Sequence, residues 1–345
     1  MAPAAERVLF GTLVDVDLHD TGRWHPERPE RLDAVARGLA DAGLAELLVP
    51  LEGRAATDDE MARVHDRRLL RSVEALATSG GGDLDPDTPV SLGSWDTARL
   101  AAGMGLAALE ALRAGEAGSA FVAVRPPGHH ATRDRAMGFC LVNNVAVAAA
   151  MLADAGERVL VVDWDVHHGN GTQDAFWDDD RVLYVSTHQW PAYPGTGRAD
   201  EVGGPGARGL VVNVPLPAGA TGDVARAALE EVAAPVVEAF GPTWVLLSAG
   251  YDAHRADPLA DLAWSAGDYA DLTRLVAAWA PGPGRLLAFL EGGYDLDALA
   301  RSVAATVGTL AGHHAHPEPP TTGGPGRVEV AVARALRDRV LRRGA

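Results

Sequence analysis

Only one cysteine, Cys140, occurs in the 345 residues, so no intrachain disulfide can form. A metal site in such a chain must draw on histidines and carboxylates. Basic residues are few: 30 lysines and arginines stand against 47 aspartates and glutamates, a formal net charge of −17. A nucleic-acid binder needs a basic face, so direct nucleic-acid binding is not expected. The acidity serves solubility first, and a negative surface can also draw in cationic substrates such as lysine-rich tails or polyamines. No apolar run reaches membrane-spanning length; the 142–155 stretch, among the longest, is too short. The opening Met-Ala-Pro-Ala-Ala-Glu-Arg lacks the basic-then-apolar order of a signal peptide, which predicts a cytoplasmic protein.

What is present is the composition of a soluble globular chain, and 345 residues fit one large domain. Short apolar runs at 7–14, 119–124, 158–163, 181–187, 209–214, 243–249 and 285–291 read as strands. They are continuously apolar rather than alternating, as in parallel sheets covered on both faces. Helical patterns fill the gaps at 29–43, 94–114, 143–155, 223–240, 266–279 and 295–311. Strand and helix repeated in this way predict an α/β fold, a three-layer, doubly wound, mostly parallel sheet. The single catalytic domain is expected over 1–312, with a Pro/Gly-rich linker and short helix at 313–345 packed on it. The tail histidines His313, His314 and His316 carry little weight as a metal site.

The chemistry-bearing residues cluster where predicted strands end, which is where open parallel sheets bind ligands. After strand 158–163 comes Asp163-Trp-Asp165-Val-His167-His-Gly-Asn170-Gly-Thr. Side chains two apart in extended chain share a side, so Asp163, Asp165 and His167 can begin a divalent-metal site. Asp252, just past strand 243–249, can add a third ligand, although an Asp there is often only a helix cap. Two carboxylates and one imidazole would leave a position open for water, as a catalytic site requires. After 119–124, Pro-Pro-Gly-His129-His130 presents two histidines on a rigid turn, suited to proton transfer. After 285–291, Gly-Gly-Tyr294 can aim a hydroxyl at a developing oxyanion.

Taken together, these segments resemble the histone deacetylase family, which includes acetoin-utilisation proteins and acetylpolyamine amidohydrolases. The resemblance rests on Pro-Pro-Gly-His-His-Ala at 126–131, Gly-Phe-Cys-Leu-Val-Asn-Asn at 138–144 and Asp-Trp-Asp-Val-His-His-Gly-Asn-Gly-Thr at 163–172. It continues through Tyr-Pro-Gly-Thr-Gly at 193–197, Ser-Ala-Gly-Tyr-Asp-Ala-His at 248–254 and Glu-Gly-Gly-Tyr at 291–294. His-Pro-Glu-Arg-Pro-Glu-Arg-Leu at 25–32 adds an N-terminal signature, and Asn170 is closer to the class II branch, in a bacterial-type member. The resemblance implies the arginase/deacetylase fold and a zinc-dependent hydrolase of linear amides. It makes Asp165, His167 and Asp252 the ligands of one zinc per chain. His130 is implied as general base and acid, His129 as its electrostatic partner, and Asp163 and Asn170 as the residues orienting them. An Asn rather than an Asp at 170 leaves His130 with a lower pKa. Tyr294 is implied to polarise the scissile carbonyl. A potassium site would use Asp163, Asp165, His167, Ser186 and Thr187, largely through backbone oxygens. Gly138, Phe139 and Tyr193 would line a narrow substrate channel.

The implied substrate is an N-acetylated or short-acyl amine such as acetyl-lysine. Leu259 occupies a mouth position that is acidic in polyamine-selective members, which tilts the reading away from a strict polyamine enzyme. Asp87 is matched to an aspartate that grips substrate backbone, and equally well to a turn residue. Trp95 and Trp190 read as packing residues, Trp190 near the channel loop. N-acetylpolyamine or small-molecule deacylation is the nearest alternative. A ureohydrolase with two manganese ions and a non-catalytic acyl-lysine binder are further ones. An oligomer is compatible with the sequence.

Overall fold

The computed structural model describes residues 4–13, 18–313 and 316–344. The strands are β1 (Val8–Thr12), β2 (Leu48–Pro50), β3 (Gly82–Asp85), β4 (Thr88–Val90), β5 (Ser119–Ala123), β6 (Val159–Asp163), β7 (Val182–Gln189), β8 (Val211–Leu216), β9 (Trp244–Ala249) and β10 (Leu286–Leu290). The helices through the middle are α1 (Glu30–Asp41), α2 (Asp58–Met61), α3 (Arg67–Thr78), α4 (Ser94–Arg113), α5 (Asn144–Asp154) and α6 (Asn170–Ala175). They are followed by α7 (Gly222–Ala228), α8 (Ala234–Phe240), α9 (Ala266–Ala277), α10 (Leu296–Leu310) and α11 (Arg327–Gly344).

Among the described residues, eight strands form one sheet in the order β2-β1-β5-β10-β9-β6-β7-β8, every pairing parallel. The α/β expectation is met. The reason lies in the strands themselves: β5, β6, β9 and β10 are buried at every position. Each buried Val or Leu contributes roughly 1.5–3 kcal/mol relative to exposure, so these runs are stable only with helices on both faces. One layer holds α4 and α5, which pack on each other and on the sheet. The other holds α1, α10, α9 and α7, packed in that order. Caps set two helix starts that matter below. Asn143 accepts from the Ala146 N–H at 3.0 Å ahead of α5, and Asp295 accepts from the Ala298 N–H at 2.8 Å ahead of α10.

The predicted 223–240 helix is interrupted: α7 and α8 are joined by a π-helical turn, Leu229–Ala233. The short α2, the amphipathic α3 and the β3–β4 hairpin stand in a region where the sequence predicts no element. The tail helix packs against β8 and α7, and its Arg337 is buried, donating to the Gly209 carbonyl at 2.7 Å. The chain leading into it crosses the domain: Glu318 accepts from His254 at 2.7 Å, and Thr321 and Gly324 bond Asp268 and Thr221. Val14, at the end of the first predicted strand, and His314 lie outside the described residues; His316 pairs with Asp271. No described helix is long and apolar enough to cross a membrane.

Candidate active site

The strands β5, β10, β9 and β6 are consecutive neighbours in the sheet, and all run the same way. Their carboxyl ends therefore form one continuous edge. The four segments that stand out in sequence leave from that edge, one per strand. This juxtaposition converts motifs far apart in the chain into a single site.

Asp165, His167 and Asp252 each turn a ligand atom inward, all within 4.8 Å of one another. His167 Nδ1 lies 3.1 Å from Asp165 Oδ1 and 3.2 Å from Asp252 Oδ2. Burial opposes charge on His167, yet the hydrogen bonds and charges of the two aspartates raise its pKa to about 10. The pair thus demands positive charge. Other oxygens are already committed: Asp252 Oδ1 accepts the Val166 N–H at 2.9 Å and Asp165 Oδ2 the Gly292 N–H at 2.8 Å. Asp252 Oδ2 is buried and faces His167 Nδ1 at 3.2 Å, but no donor among the described residues reaches it in good hydrogen-bonding geometry. A buried carboxylate oxygen left this way is costly unless a cation neutralises it. The glycines beside the carboxylates are sterically required. A Cβ at Gly250 would sit 2.0 Å from Asp165 Oδ2, and one at Gly292 would sit 2.1 Å from Asp252 Oδ2. The donor set and its orphaned oxygen fit a zinc ion.

Asp163 is not part of this group. The strand ends at Asp163, so the alternation that would align it with Asp165 and His167 stops there. Instead its Oδ2 accepts from His129 Nδ1 at 3.0 Å and from the Tyr184 hydroxyl at 3.1 Å, and its Oδ1 from the Asp165 N–H at 3.1 Å. Ser186 stands opposite Asp163 in the β6–β7 register, with Thr187 next in β7. The Ser186 hydroxyl bonds His188 Nδ1 at 2.9 Å.

The two histidines differ in charge because their partners differ. Burial disfavours a charge on His129, but Asp163 and Asp165 outweigh it and bring its pKa up to about 10. His130 is held well below the usual histidine range by burial, then by the charges of His129 and His167. Asn170 fixes its tautomer. The Asn170 amide Nδ2 donates to the His130 carbonyl at 3.3 Å, so Oδ1, 2.9 Å from His130 Nδ1, must be the acceptor. His130 therefore carries its proton on Nδ1 and leaves Nε2 as a base.

A cavity of about 230 Å³ opens onto these groups, lined by Asp87, His130, Gly138, Phe139, His167, Tyr193, Leu259 and Tyr294. Tyr193 stands edge-on to His130, with ring centroids 5.0 Å apart, and Phe139 edge-on to Tyr294 at 5.8 Å. Phe139 adopts φ 68°, a left-handed conformation that a bulky residue keeps only when its surroundings enforce it. Its N–H donates to the Thr88 hydroxyl at 3.1 Å. Asp87 sits at the turn of the β3–β4 hairpin, on the cavity wall. Burial pushes the Tyr294 phenol well above its ordinary pKa, so it stays a hydrogen-bond donor. The Cys140 thiol is buried and pushed well up by that burial, which suits a packing role. Trp95 is buried, and Trp190 lies beside α11 rather than on the cavity wall.

Sequence reasoning gives no role to the charged groups behind this wall. Glu27, Arg31 and Arg125 are fully buried. Arg125 grips Glu27 with both ends of its fork, at 2.9 and 2.8 Å. Burial alone would raise the Glu27 carboxyl, but Arg125 and its neighbours hold it down to about 2. Arg31 donates to the carbonyls of Gly293, at 2.8 Å, and Glu291, and its guanidinium lies 5.0 Å from the Tyr294 ring centroid. Glu291 Oε2 accepts from Gly128 N–H at 2.6 Å and His129 N–H at 3.2 Å, holding the histidine turn from below. Two of these charges sit inside the 25–32 signature; a charged residue amid apolar strands and helices is itself a signal, since burial demands a partner.

Comparison with known proteins agrees with this geometry. The histone deacetylase domain model matches residues 25–310. A probable deacetylase of Archaeoglobus fulgidus is 41% identical over 284 residues, covering 81% of this chain and 79% of that one. A histone deacetylase-like amidohydrolase of Pseudomonas aeruginosa is 41% identical over 276 residues, covering 79% of this chain and 73% of its own. The crystal structure of the HDA15 HD domain superposes with a TM-score of 0.89 at 36% identity, covering 97% of this chain and 95% of that one. With sequence, fold and strand-end segments in agreement over most of its length, the chain belongs to the histone deacetylase family of amide-bond hydrolases.

Proposed function

We propose that this protein is a zinc-dependent deacetylase that hydrolyses the amide of an N-acetylated or short-acyl amine, with acetyl-lysine as the model substrate. The observation that carries the reading is the convergence of Asp165, His167 and Asp252 beside His130 at the foot of a cavity bordered by Tyr294. A zinc ion held by those three residues supplies, when bound, a Lewis acid that activates water and polarises the scissile carbonyl.

The chain's own groups do the rest. His130 Nε2 takes the proton of the attacking water, while Asn170 keeps the Nδ1 proton in place. The new C–O bond forms as the carbonyl π bond gives its electrons to oxygen, and the Tyr294 phenol donates to that oxyanion. Charged His129, fixed by Asp163, offsets the negative charge of the site. His130 then returns its proton to the departing nitrogen as the C=O re-forms and the C–N bond breaks, leaving an amine and a carboxylic acid that loses its proton to solvent. The rings of Phe139 and Tyr193 flank the apolar stem that connects the amide to the rest of the substrate. A potassium ion beside Asp163, Asp165, His167, Ser186 and Thr187 belongs to the same reading, supported by the Asp163–Ser186 register.

The test is release of acetate from an acetyl-lysine peptide by the purified zinc-loaded protein, with N-acetylpolyamines assayed alongside. His130→Ala should lower kcat by about 10²–10⁴-fold, and Tyr294→Phe by about 10²–10³-fold. Unchanged turnover in both variants defeats the mechanism. Two manganese ions per chain in place of one zinc would instead favour ureohydrolase chemistry.

A further inference from the structure

Asp257 lies in the loop between Asp252 and α9 and is buried, at 8% exposure. Its two carboxylate oxygens serve two different loops. Oδ1 accepts the Leu259 N–H at 3.0 Å, which shapes the cavity mouth. An aspartate bonding an N–H two residues ahead is an ordinary turn device. The other oxygen is not explained that way. Oδ2 reaches 37 residues along the chain to accept the N–H of Tyr294 itself, at 2.6 Å, and that of Asp295 at 3.3 Å.

The short segment carrying Tyr294 is thus gripped from both sides. Arg31 holds the Gly293 carbonyl at 2.8 Å, and Asp257 holds the Tyr294 amide. Gly292, one step earlier, is tied to Asp165. Gly293, at φ 117°, lets the chain turn between these grips and supplies no stiffness of its own. Placement of the phenol must come from the partners, and on this side the Asp257 carboxyl supplies acceptor bonds to two successive backbone N–H groups.

We infer that Asp257 is a positioning residue for the amide hydrolysis: it sets the backbone of Tyr294, and so the reach of the phenol toward the carbonyl oxygen, and couples that reach to Leu259 at the mouth. The inference rests on the reading of Tyr294 as oxyanion donor. An oxyanion donor displaced by about 1 Å can cost on the order of 10²-fold in rate, so this grip governs kcat more than substrate affinity.

The experiment is a double-mutant cycle with the zinc-loaded full chain and an acetyl-lysine peptide, measuring kcat, KM, bound zinc and Tm. Asp257→Ala should lower kcat by roughly 10- to 100-fold with KM changed by less than about threefold and zinc retained. Asp257→Asn keeps one carbonyl oxygen for the Tyr294 N–H and should recover part of the loss. In a Tyr294→Phe background, Asp257→Ala should cost less than about twofold, because the group it positions is gone. Full kcat in Asp257→Ala, a loss that tracks missing zinc, or a loss of the same size in the Tyr294→Phe background overturns the proposal. Should Asp257→Ala fail to fold, the cycle with Asp257→Asn decides by the same criteria. If Tyr294→Phe alone keeps wild-type kcat, the oxyanion reading falls and Asp257 falls with it; if Tyr294→Phe is slow and Asp257→Ala is not, only the Asp257 proposal falls.

Discussion

The floor of the site and its mouth are built on different principles. On the floor, Asp163, Asp165, Asp252 and Glu291 have no exposed surface; Asp163, Asp165 and Glu291 each accept several hydrogen bonds, and Asp252 accepts the Val166 N–H. A side chain at Gly250 or Gly292 would collide with the Asp165 or Asp252 carboxylate. At the mouth, Leu259 is 41% exposed and Tyr193 38%. Trp24 is 87% exposed, and its neighbour His25 stands edge-on to Phe139 of the cavity wall. A buried polar network tolerates one geometry, because every unpaired member is penalised; exposed side chains on loops can exchange with little cost. The chemistry is therefore set rigidly and substrate preference loosely.

That contrast can be broken by experiment. The largest effect is expected on the floor: Asp252→Ala should bring acetate release to background and strip zinc from the chain, read by metal analysis of the purified protein. Retained zinc with retained activity would mean that the floor is not a metal site. An intermediate effect is expected at Asn170→Asp. A carboxylate beside His130 stabilises the imidazolium, so the pKa of His130 rises. In the proposed mechanism His130 acts as a base when neutral, so activity would be lost below its pKa and the acid limb of kcat/KM should move to higher pH, by about one unit or more. An acid limb that stays in place, or moves down, would remove His130 from the base role. The smallest effect is expected at the mouth. Leu259→Glu should shift relative kcat/KM toward N-acetylpolyamines over an acetyl-lysine peptide by only a few fold, and the gain should shrink as salt is raised. A change at Leu259 as large as that at Asp252 would erase the distinction between the two regions.

The same contrast separates what is legible in the sequence from what is not. The sheet strands can be read because fully buried parallel strands must be uninterrupted apolar runs, as in β6 and β10. The metal and histidine segments can be read because acids and imidazoles placed directly after such runs face the ligand-binding edge of the sheet, where only a cap or a site has use for them. The hairpin β3–β4 escapes notice: its Gly82–Asp85 strand is partly exposed and has no apolar face to give a period. The roles of Glu27, Arg31, Asp257 and Glu291 are invisible for another reason. Each acts through a partner on a different strand or loop, and sequence spacing carries no information about pairings such as Arg31 with Gly293, 262 positions away. Two-residue spacing groups Asp163 with the metal residues, and that spacing loses meaning once the strand ends.

The crossing of the tail over the domain has a consequence for synthesis. His254, two residues beyond Asp252, donates a hydrogen bond to Glu318, which also accepts from Arg255 and the amide of Ala266. A ribosome makes position 318 after every strand of the sheet is complete. During translation the loop bearing Asp252 lacks these contacts until position 318 has left the ribosome, so they are among the last of the domain to form. Released chains ending before and after residue 318, compared for protease protection of the 252–266 loop, test whether these contacts hold it.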